Sequence, residues 1–127
     1  MKILFVDDER DVEALFRQKF RKEIKSGELE FFFAFSGDEA LNLLGSENPP
    51  NFICVFSDIN MPGMSGLELL DAIKERYPVV QVSMISAYGD TENYNKAFKS
   101  GAKGFFTKPI DFESLKNEIR ELADSSN

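Results

Sequence analysis

The chain has 127 residues, 43% of them hydrophobic and 29% charged, which is the size and composition of one globular domain that folds without disulfide or metal. Its formal net charge of −7 argues against direct binding of nucleic acid or of an anionic membrane, since both need a basic patch. The sequence contains no histidine, which excludes Ser/His, Cys/His and His-metal chemistry.

The first predicted element is a short apolar strand, Lys2–Val6, which ends in the acidic run Asp7-Asp8-Glu9. Apolar residues then recur at helical spacing, with basic residues between them. This pattern predicts one amphipathic helix that ends at Ser26-Gly27. Its apolar face consists of Val12, Leu15, Phe16, Phe20 and Ile24.

A second strand is predicted at Leu29–Phe35, whose phenylalanines we expect in the core. The sequence Ser36-Gly37-Asp38-Glu39 matches a capping box and predicts a second helix. The third strand, Ile53–Asp58, is a run of β-branched and aromatic residues typical of a strand that a parallel sheet buries on both faces. Asp58 therefore stands where a buried strand ends.

The third strand also contains Cys54, the single cysteine of the chain. A thiol in the core fits a reducing compartment. No run approaches the ~18 apolar residues of a membrane span, and the apolar start of the chain is too short for a signal peptide. We therefore expect a cytoplasmic protein that does not contact a membrane.

The second half of the chain continues the alternation of helices and strands. Ser65-Gly66-Leu67-Glu68 matches another capping box and begins a third helix, which must end before Pro78. Val79–Ile85 is the fourth predicted strand, and Ser86 follows it. A fourth helix begins after Asp90, and its predicted buried residues are only Tyr94, Ala97 and Phe98. With so few apolar anchors, this helix should be among the least stable elements.

A short fifth strand, Gly104–Thr107, precedes Lys108, and Asp111 is expected to cap a fifth helix. Five strands that alternate with five helices predict an α/β fold: one doubly wound parallel sheet with right-handed crossovers. Periodicity does not give the order of the strands in the sheet. It does imply that all five strands end at the same edge.

Polar residues follow four of the five predicted strands, so a parallel sheet brings them to one edge. They are Asp7, Asp8, Asp58, Ser86 and Lys108. Two carboxylates ~4 Å apart repel by roughly 4 kcal/mol at an effective dielectric near 20, so cations must offset the repulsion. Lys108 can neutralise one charge, and a site of oxygen ligands favours Mg²⁺, or Mn²⁺, over zinc. Such an edge suits the transfer of a phosphoryl group to a carboxylate.

Four segments, in this order and spacing, resemble the receiver domains of two-component response regulators. They are Val6-Asp7-Asp8-Glu9, Ser57-Asp58-Ile59-Asn60-Met61-Pro62-Gly63-Met64-Ser65-Gly66, Ile85-Ser86-Ala87 and Gly104-Phe105-Phe106-Thr107-Lys108-Pro109. The likeness covers essentially the whole chain, with a receiver domain at 1–123 and a C-terminal tail at 124–127. It implies a flavodoxin-like sheet of strand order 2-1-3-4-5.

The resemblance also implies a role for each site residue. Asp58 is the expected phosphoacceptor, and the expected metal ligands are Asp8, Asp58 and the backbone carbonyl of Asn60, with Asp7 holding metal-bound water. Ser86 corresponds to the switch hydroxyl, Lys108 to the partner of a phosphoryl oxygen, and Phe105 to the aromatic switch that turns inward when Ser86 moves. Asn60 and Tyr88 hold positions that tune the lifetime of the phosphorylated state. Lys108-Pro109 is expected to be a cis peptide.

A receiver would take its phosphoryl group from a sensor histidine kinase or a phosphotransfer protein, since this chain has no histidine of its own. It would catalyse its own phosphorylation and dephosphorylation at Asp58. The surface around the fourth helix, fifth strand and fifth helix would then bind a target or output domain that the sequence does not identify. The resemblance leaves open a dimer linked to phosphorylation.

Two other functions remain open at this point. A phosphohydrolase of the haloacid dehalogenase type also uses an aspartate nucleophile with Mg²⁺, but it expects Asp-x-Asp after its first strand, where this chain has adjacent Asp7-Asp8. A receiver-like binding module that is never phosphorylated usually lacks a site residue. Multiple turnover of a generic phosphate ester would favour the hydrolase, and no Mg²⁺-dependent response to fluoroberyllate would favour the binding module.

Overall fold

The computed structural model of the protein describes residues 1–46, 51–87 and 89–125. Within these ranges the chain forms five strands and six helices. The strands are β1 (Lys2–Val6), β2 (Glu30–Ala34), β3 (Phe52–Asp58), β4 (Gln81–Ser86) and β5 (Gly104–Thr107). The helices are α1 (Arg10–Lys19), α2 (Arg21–Ser26), α3 (Gly37–Gly45), α4 (Gly66–Arg76), α5 (Thr91–Lys99) and α6 (Phe112–Ser125).

All four pairings between neighbouring strands are parallel, and the order in the sheet is β2-β1-β3-β4-β5. The predicted flavodoxin-like, doubly wound fold is therefore confirmed. From β1 the chain passes to β2 on one side and later to β3 on the other, so the winding reverses between β1 and β3. This switch point is where open α/β sheets leave a crevice for ligands.

The sheet separates two apolar cores because successive side chains of a strand point to opposite faces. In β1, Ile3 and Phe5 pack with α1 and α6, whereas Leu4 and Val6 pack with α3, α4 and α5. The Phe5 ring lies at the centre of an aromatic cluster, with centroids of Phe16, Phe20, Phe31 and Phe56 within 5.7 Å. Cys54 is fully buried in the same core, as predicted.

The single helix predicted between the first two strands is wrong, because the chain forms two helices, α1 and α2, that meet at Phe20. Phe20 has φ −101° and ψ 14°, outside the helical range, and its ring is buried against Phe5 and Phe112. Neither glycine nor proline marks this break, so packing decides it. Leu15, predicted on the buried face, is 44% exposed.

The fourth predicted helix, α5, has even fewer anchors than expected. Ala97 is fully buried, but Tyr94 is 48% and Phe98 is 40% exposed, so the prediction that both rings are buried is wrong. The two rings instead pack on each other at 4.8 Å between centroids. Among the described helices, none is both long and apolar enough to cross a membrane.

Serine and aspartate caps begin four of the helices, as the sequence predicts. Ser65 and Glu68 form a complete capping box at α4. Ser36 accepts a hydrogen bond from the Glu39 N–H at α3, but the Glu39 carboxylate accepts from the Phe35 N–H and not from the cap residue. Asp90 caps α5, and Asp111 accepts hydrogen bonds from the Glu113 and Ser114 N–H groups at α6.

One carboxylate of α6, Glu118, has a buried oxygen without a hydrogen-bond partner. Its two carboxylate oxygens lie 2.6 and 2.8 Å from the place that a Cβ on Gly104 would occupy, so the glycine makes room for them. The Ser83 hydroxyl is also buried and unpartnered, 3.0 Å from the same point. Burial raises the pKa of Glu118, and the charge of Lys103 opposes this shift. The ionised carboxylate therefore destabilises the fold.

We expect Glu118→Gln to raise the free energy of unfolding by about 1 kcal/mol at pH 7, because glutamine keeps the shape of the side chain but removes its partly desolvated charge. A carboxyl group with a raised folded-state pKa lowers stability above that pKa and ceases to do so once it is protonated. The gain should therefore shrink as the pH falls from 7 toward about 4. Urea unfolding at several pH values measures it.

Asp71→Asn is the control, because it removes an exposed carboxylate from the middle of helix α4. It should give a clearly smaller gain at pH 7. A Glu118→Gln gain that persists unchanged at pH 4, or an equal gain in the control, would contradict the argument.

Candidate functional site

The carboxyl ends of the strands bring four of the predicted site residues to one edge of the sheet. Asp7 follows β1, Asp58 is the last residue of β3, Ser86 is the last residue of β4, and Lys108 follows β5. Asp7, Asp8 and Asp58 each offer a carboxylate oxygen, and these oxygens all lie within 4.8 Å of one another. The edge lies beside the switch point between β1 and β3.

Lys108 is the cation that meets this acidic cluster. Its Nζ lies 3.3 Å from an Asp58 carboxylate oxygen and 3.9 Å from one of Asp7. The lysine side chain is 41% exposed, whereas the two aspartates are nearly buried. Although partial burial opposes the shift, the charges of Asp58 and Asp7 raise the pKa of Lys108. The amine therefore stays positive at neutral pH.

Lys108 does not fully offset the effect of burial on the pKa values of Asp7 and Asp58. Burial raises the pKa of Asp58, Lys108 opposes the shift, and the neighbouring Asp7 adds to it. Burial also raises the pKa of Asp7, although the Glu9 N–H donates a hydrogen bond to its carboxylate at 2.9 Å. A group that brings further positive charge would stabilise both ionised carboxylates.

The donor set fits a hard divalent cation. It consists of three carboxylates, two buried and one exposed, with no sulfur or imidazole among them. Oxygen ligands of this kind suit Mg²⁺, which commonly uses one or two protein carboxylates and keeps several waters. Asn60 lies two residues beyond Asp58, and its side chain is exposed. Tyr88, the other predicted lifetime residue, lies outside the described residues.

Ser86 has a partner that the sequence did not predict. Its buried hydroxyl donates to a carboxylate oxygen of Asp90 at 2.8 Å. The sequence assigned Asp90 only the capping of α5, a role that it also has. An aspartate four residues after a strand-ending serine is not in itself a sequence signal for this contact.

Phe105 lies on the face of β5 that packs toward α5. It is half-buried, and its ring centroid lies 5.2 Å from that of Tyr94. The next residue, Phe106, packs on Phe56 in the opposite core. The alternation of a strand thus directs Phe105, unlike Phe106, toward the face that α5 covers. The register pairs Phe105 with Met84 and Thr107 with Ser86. The Lys108-Pro109 peptide bond is cis, as the resemblance implies.

Gly66 is a constraint on the site that sequence reasoning missed. It is the first residue of α4, and its N–H donates to the Ile59 carbonyl at 2.8 Å. A Cβ on Gly66 would overlap the backbone carbonyl oxygen of Asp58 and lie 2.8 Å from the Ile59 Cα. The end of β3 therefore contacts the start of α4 backbone to backbone. Its sequence signature, glycine after a serine cap, also occurs at Gly37, where no such contact exists.

The fold and the site define a class of protein: a doubly wound α/β domain with an acidic cluster and a lysine at the carboxyl edge of its sheet. A family model described as the response regulator receiver domain matches residues 3–120. The chain therefore belongs to the response regulator receiver domain family.

Individual response regulators are also similar to this chain, in sequence and in fold. The response regulator protein FleR of Pseudomonas aeruginosa is 35% identical over 114 residues, which cover 90% of this chain but 23% of FleR. A response regulator receiver domain protein of Clostridium thermocellum has a TM-score of 0.87 at 26% identity, over 98% of this chain and 95% of that one. The response regulator TrrA of Thermotoga maritima, in complex with Mg²⁺-BeF, has a TM-score of 0.77 at 29% identity, over 95% and 97%. The chain thus spans about a quarter of the length of the curated relative named here.

We expect Gly66→Ala to lower the free energy of unfolding by about 1–3 kcal/mol, because the added methyl group meets rigid backbone at the end of β3. Gly37→Ala is the matched control. Gly37 also follows a serine cap as the first residue of a helix, but there a Cβ would meet the flexible side chain of Met64. Urea unfolding should show a clearly smaller loss for the control, and equal losses would contradict this account.

We expect Lys108→Met to raise the pKa of Asp58 further above its ordinary value, because the lysine charge at 3.3 Å opposes the effect of burial. Carboxyl carbon NMR titration without divalent cation measures the shift. Lys103→Met removes a lysine at the opposite end of β5 and should leave the Asp58 titration unchanged. An unchanged Asp58 pKa in Lys108→Met would show that the charge contact is not formed in solution.

Proposed function

We propose that this receiver domain is a phosphorylation switch in which Asp58 accepts a phosphoryl group from a phosphohistidine of a sensor histidine kinase or a phosphotransfer protein. The observation that carries the proposal is the placement of Asp58, nearly buried, within the carboxylate cluster and 3.3 Å from the Lys108 amine. Membership of the receiver family supports it. The same membership gives no support to the phosphohydrolase alternative.

In the proposed transfer, a carboxylate oxygen of Asp58 attacks the phosphorus in line. The new O–P bond forms as the N–P bond of the donor breaks, and the bonding electron pair returns to the imidazole nitrogen. The ionised form of Asp58 is the nucleophile. Lys108 favours that form through its charge and would afterwards pair with a phosphoryl oxygen.

Asp7, Asp8 and Asp58, with the backbone carbonyl of Asn60, would hold Mg²⁺, and Mn²⁺ has the same preference for oxygen ligands. When bound, the metal supplies positive charge to the oxygens of the transferred phosphoryl group. The Mg²⁺-BeF complex of TrrA concerns a relative with the same fold and supports this assignment. Lys108 and Ser86 are the groups of the chain that would meet the remaining oxygens.

The switch works by a population shift between two conformations, which present different surfaces to a partner. The phosphoryl group adds between one and two negative charges, roughly, and attracts the Ser86 hydroxyl. Movement of Ser86 makes room for the Phe105 ring. Because phenylalanine lacks a hydroxyl, Phe105 contributes to the switch by a change of packing. The surface that changes is formed by α5, β5 and α6. The two helices were predicted as the fourth and fifth, because the first predicted helix is α1 and α2 in the structure. It would bind the target or output domain, or a second phosphorylated copy.

The receiver unit is 1–123 with a tail at 124–127, and α6 continues to Ser125. The site acts in a cytoplasmic compartment, and catalyses its own phosphorylation and dephosphorylation at Asp58. Asn60 and Tyr88 adjust how long the phosphoryl group persists.

Incubation with acetyl phosphate and Mg²⁺ should add the mass of one phosphoryl group to the intact protein, since we propose that a carboxylate oxygen of Asp58 attacks the phosphorus. Asp58→Asn removes the nucleophile but keeps the shape and should gain no mass. Intact mass spectrometry measures both. A protein that gains no mass, or a gain that survives Asp58→Asn, would contradict the proposed acceptor.

Tyr88→Ala should speed the loss of the phosphoryl group, because we propose that the ring shields the acyl phosphate from water. The decay of phosphorylated protein after removal of acetyl phosphate, followed by intact mass, gives the rate. An unaltered rate would end the assignment of Tyr88 without affecting that of Asp58.

A further inference from the structure

A single carboxylate, that of Asp90, links the predicted switch hydroxyl to a helix. The Oδ2 atom of Asp90 accepts hydrogen bonds from the Ser86 hydroxyl at 2.8 Å and from the Asn93 side-chain amide at 2.7 Å. The Oδ1 atom accepts from the Asn93 N–H at 3.3 Å and so caps α5. Ser86 itself is 1% exposed. Its proton is therefore engaged by Asp90.

A serine hydroxyl has one proton and can donate one hydrogen bond at a time. While Ser86 donates to Asp90, it does not donate to an oxygen of a phosphoryl group on Asp58. The two acceptors therefore compete for the same donor. The hydrogen bonds from Asn93 and Ser86 hold the pKa of Asp90 below its ordinary range, so the carboxylate is ionised and accepts at both oxygens.

We propose that Asp90 is a positioning residue that holds Ser86 in the arrangement of the unphosphorylated protein and thereby sets the resting balance between the two surfaces. This inference rests on the proposed function of Asp58 as phosphoacceptor. On phosphorylation, Ser86 exchanges the Asp90 oxygen for a phosphoryl oxygen, and no covalent bond changes in this step. The strength of the Ser86–Asp90 hydrogen bond then opposes activation.

The same carboxylate extends the effect to the surface of the protein. Asp90 keeps its bonds to Asn93 when Ser86 leaves, so the capping turn of α5 loses one of its attachments to the sheet. Tyr94, one turn into α5, packs on Phe105. Ala97 is the one residue of this helix that is buried, so α5 has little apolar contact to hold it in place. Release of Asp90 thus acts on the helix and the ring that form the proposed output surface.

Asp90→Asn removes the hydrogen bond from Ser86, which we call the latch, but keeps the cap of α5. Asparagine caps a helix as well as aspartate does, but its side chain has one acceptor oxygen instead of two. With that oxygen used by the Asn93 N–H, the amide nitrogen faces Ser86 and cannot accept its proton. Amide NMR titration with fluoroberyllate and Mg²⁺ should then show an apparent affinity about five- to tenfold higher than that of the parent protein. Asp90→Ser, which also caps without reaching Ser86, should show a gain in the same direction.

Two controls distinguish a latch from a general effect on the fold. Asp111→Asn makes the same substitution at the cap of α6, where Asp111 accepts from a serine hydroxyl of its own helix, Ser114. It should leave the affinity unchanged. In a Ser86→Ala background, Asp90→Asn should give no further gain, since the hydroxyl through which it acts is gone.

Each contrary result has one meaning. An unchanged affinity in both Asp90 variants, a gain that persists in the Ser86→Ala background, or an equal gain in Asp111→Asn would overturn the latch while the proposed function stands. If the parent protein does not respond to fluoroberyllate, or if the Asp58→Asn variant responds as strongly as the parent protein, the proposed function is contradicted. The latch then loses its basis as well.

Discussion

The contact between Lys108 and Asp58 is the interaction on which the site depends. A parallel sheet brings the ends of β1 and β3 together, and both of these strands end in aspartate or are followed by it, so the fold itself creates repulsion at its carboxyl edge. Lys108 reaches that edge from β5, two strands away, with its amine 3.3 Å from Asp58. One amine does not balance three carboxylates. Burial, and to a lesser degree the neighbouring carboxylates, raises the pKa values of Asp7 and Asp58, and a divalent cation would offset this cost.

The rest of the fold divides between holding this edge in place and allowing one part of it to change. Strand β3 is almost entirely buried, and its end contacts the start of α4 through backbone atoms alone at Gly66, which fixes Asp58. Helix α5 is different, because Ala97 is its one buried residue and its two aromatic rings are largely on the surface. Elements with few buried contacts move at least cost. In this protein that element begins at Asp90, beside the hydroxyl of Ser86.

The errors of the sequence-based predictions share one physical origin. The helix break at Phe20 follows from the burial of its ring against Phe5 and Phe112, whereas Tyr94 and Phe98 pack on each other at the surface. Periodicity reports neither kind of packing. The Ser86–Asp90 hydrogen bond depends on how the end of β4 and the cap of α5 are placed in space. The capping boxes, by contrast, are local, and the one at Ser65 was predicted completely. At Ser36 the serine was right, but the Glu39 carboxylate bonds the residue before it.

The sequence by itself determined the alternation of strands and helices, the buried character of β3 and the identity of the polar residue at each strand end, because these depend on spacing and local chemistry. It could predict that Asp7, Asp8, Asp58 and Lys108 share an edge, since parallel strands leave no other arrangement. The tertiary structure alone decided the distances within that edge, the backbone contact at Gly66 and the acceptor of the Ser86 proton. Those features depend on side-chain packing and loop paths, in which residues distant in sequence compete for the same space and the same hydrogen bonds.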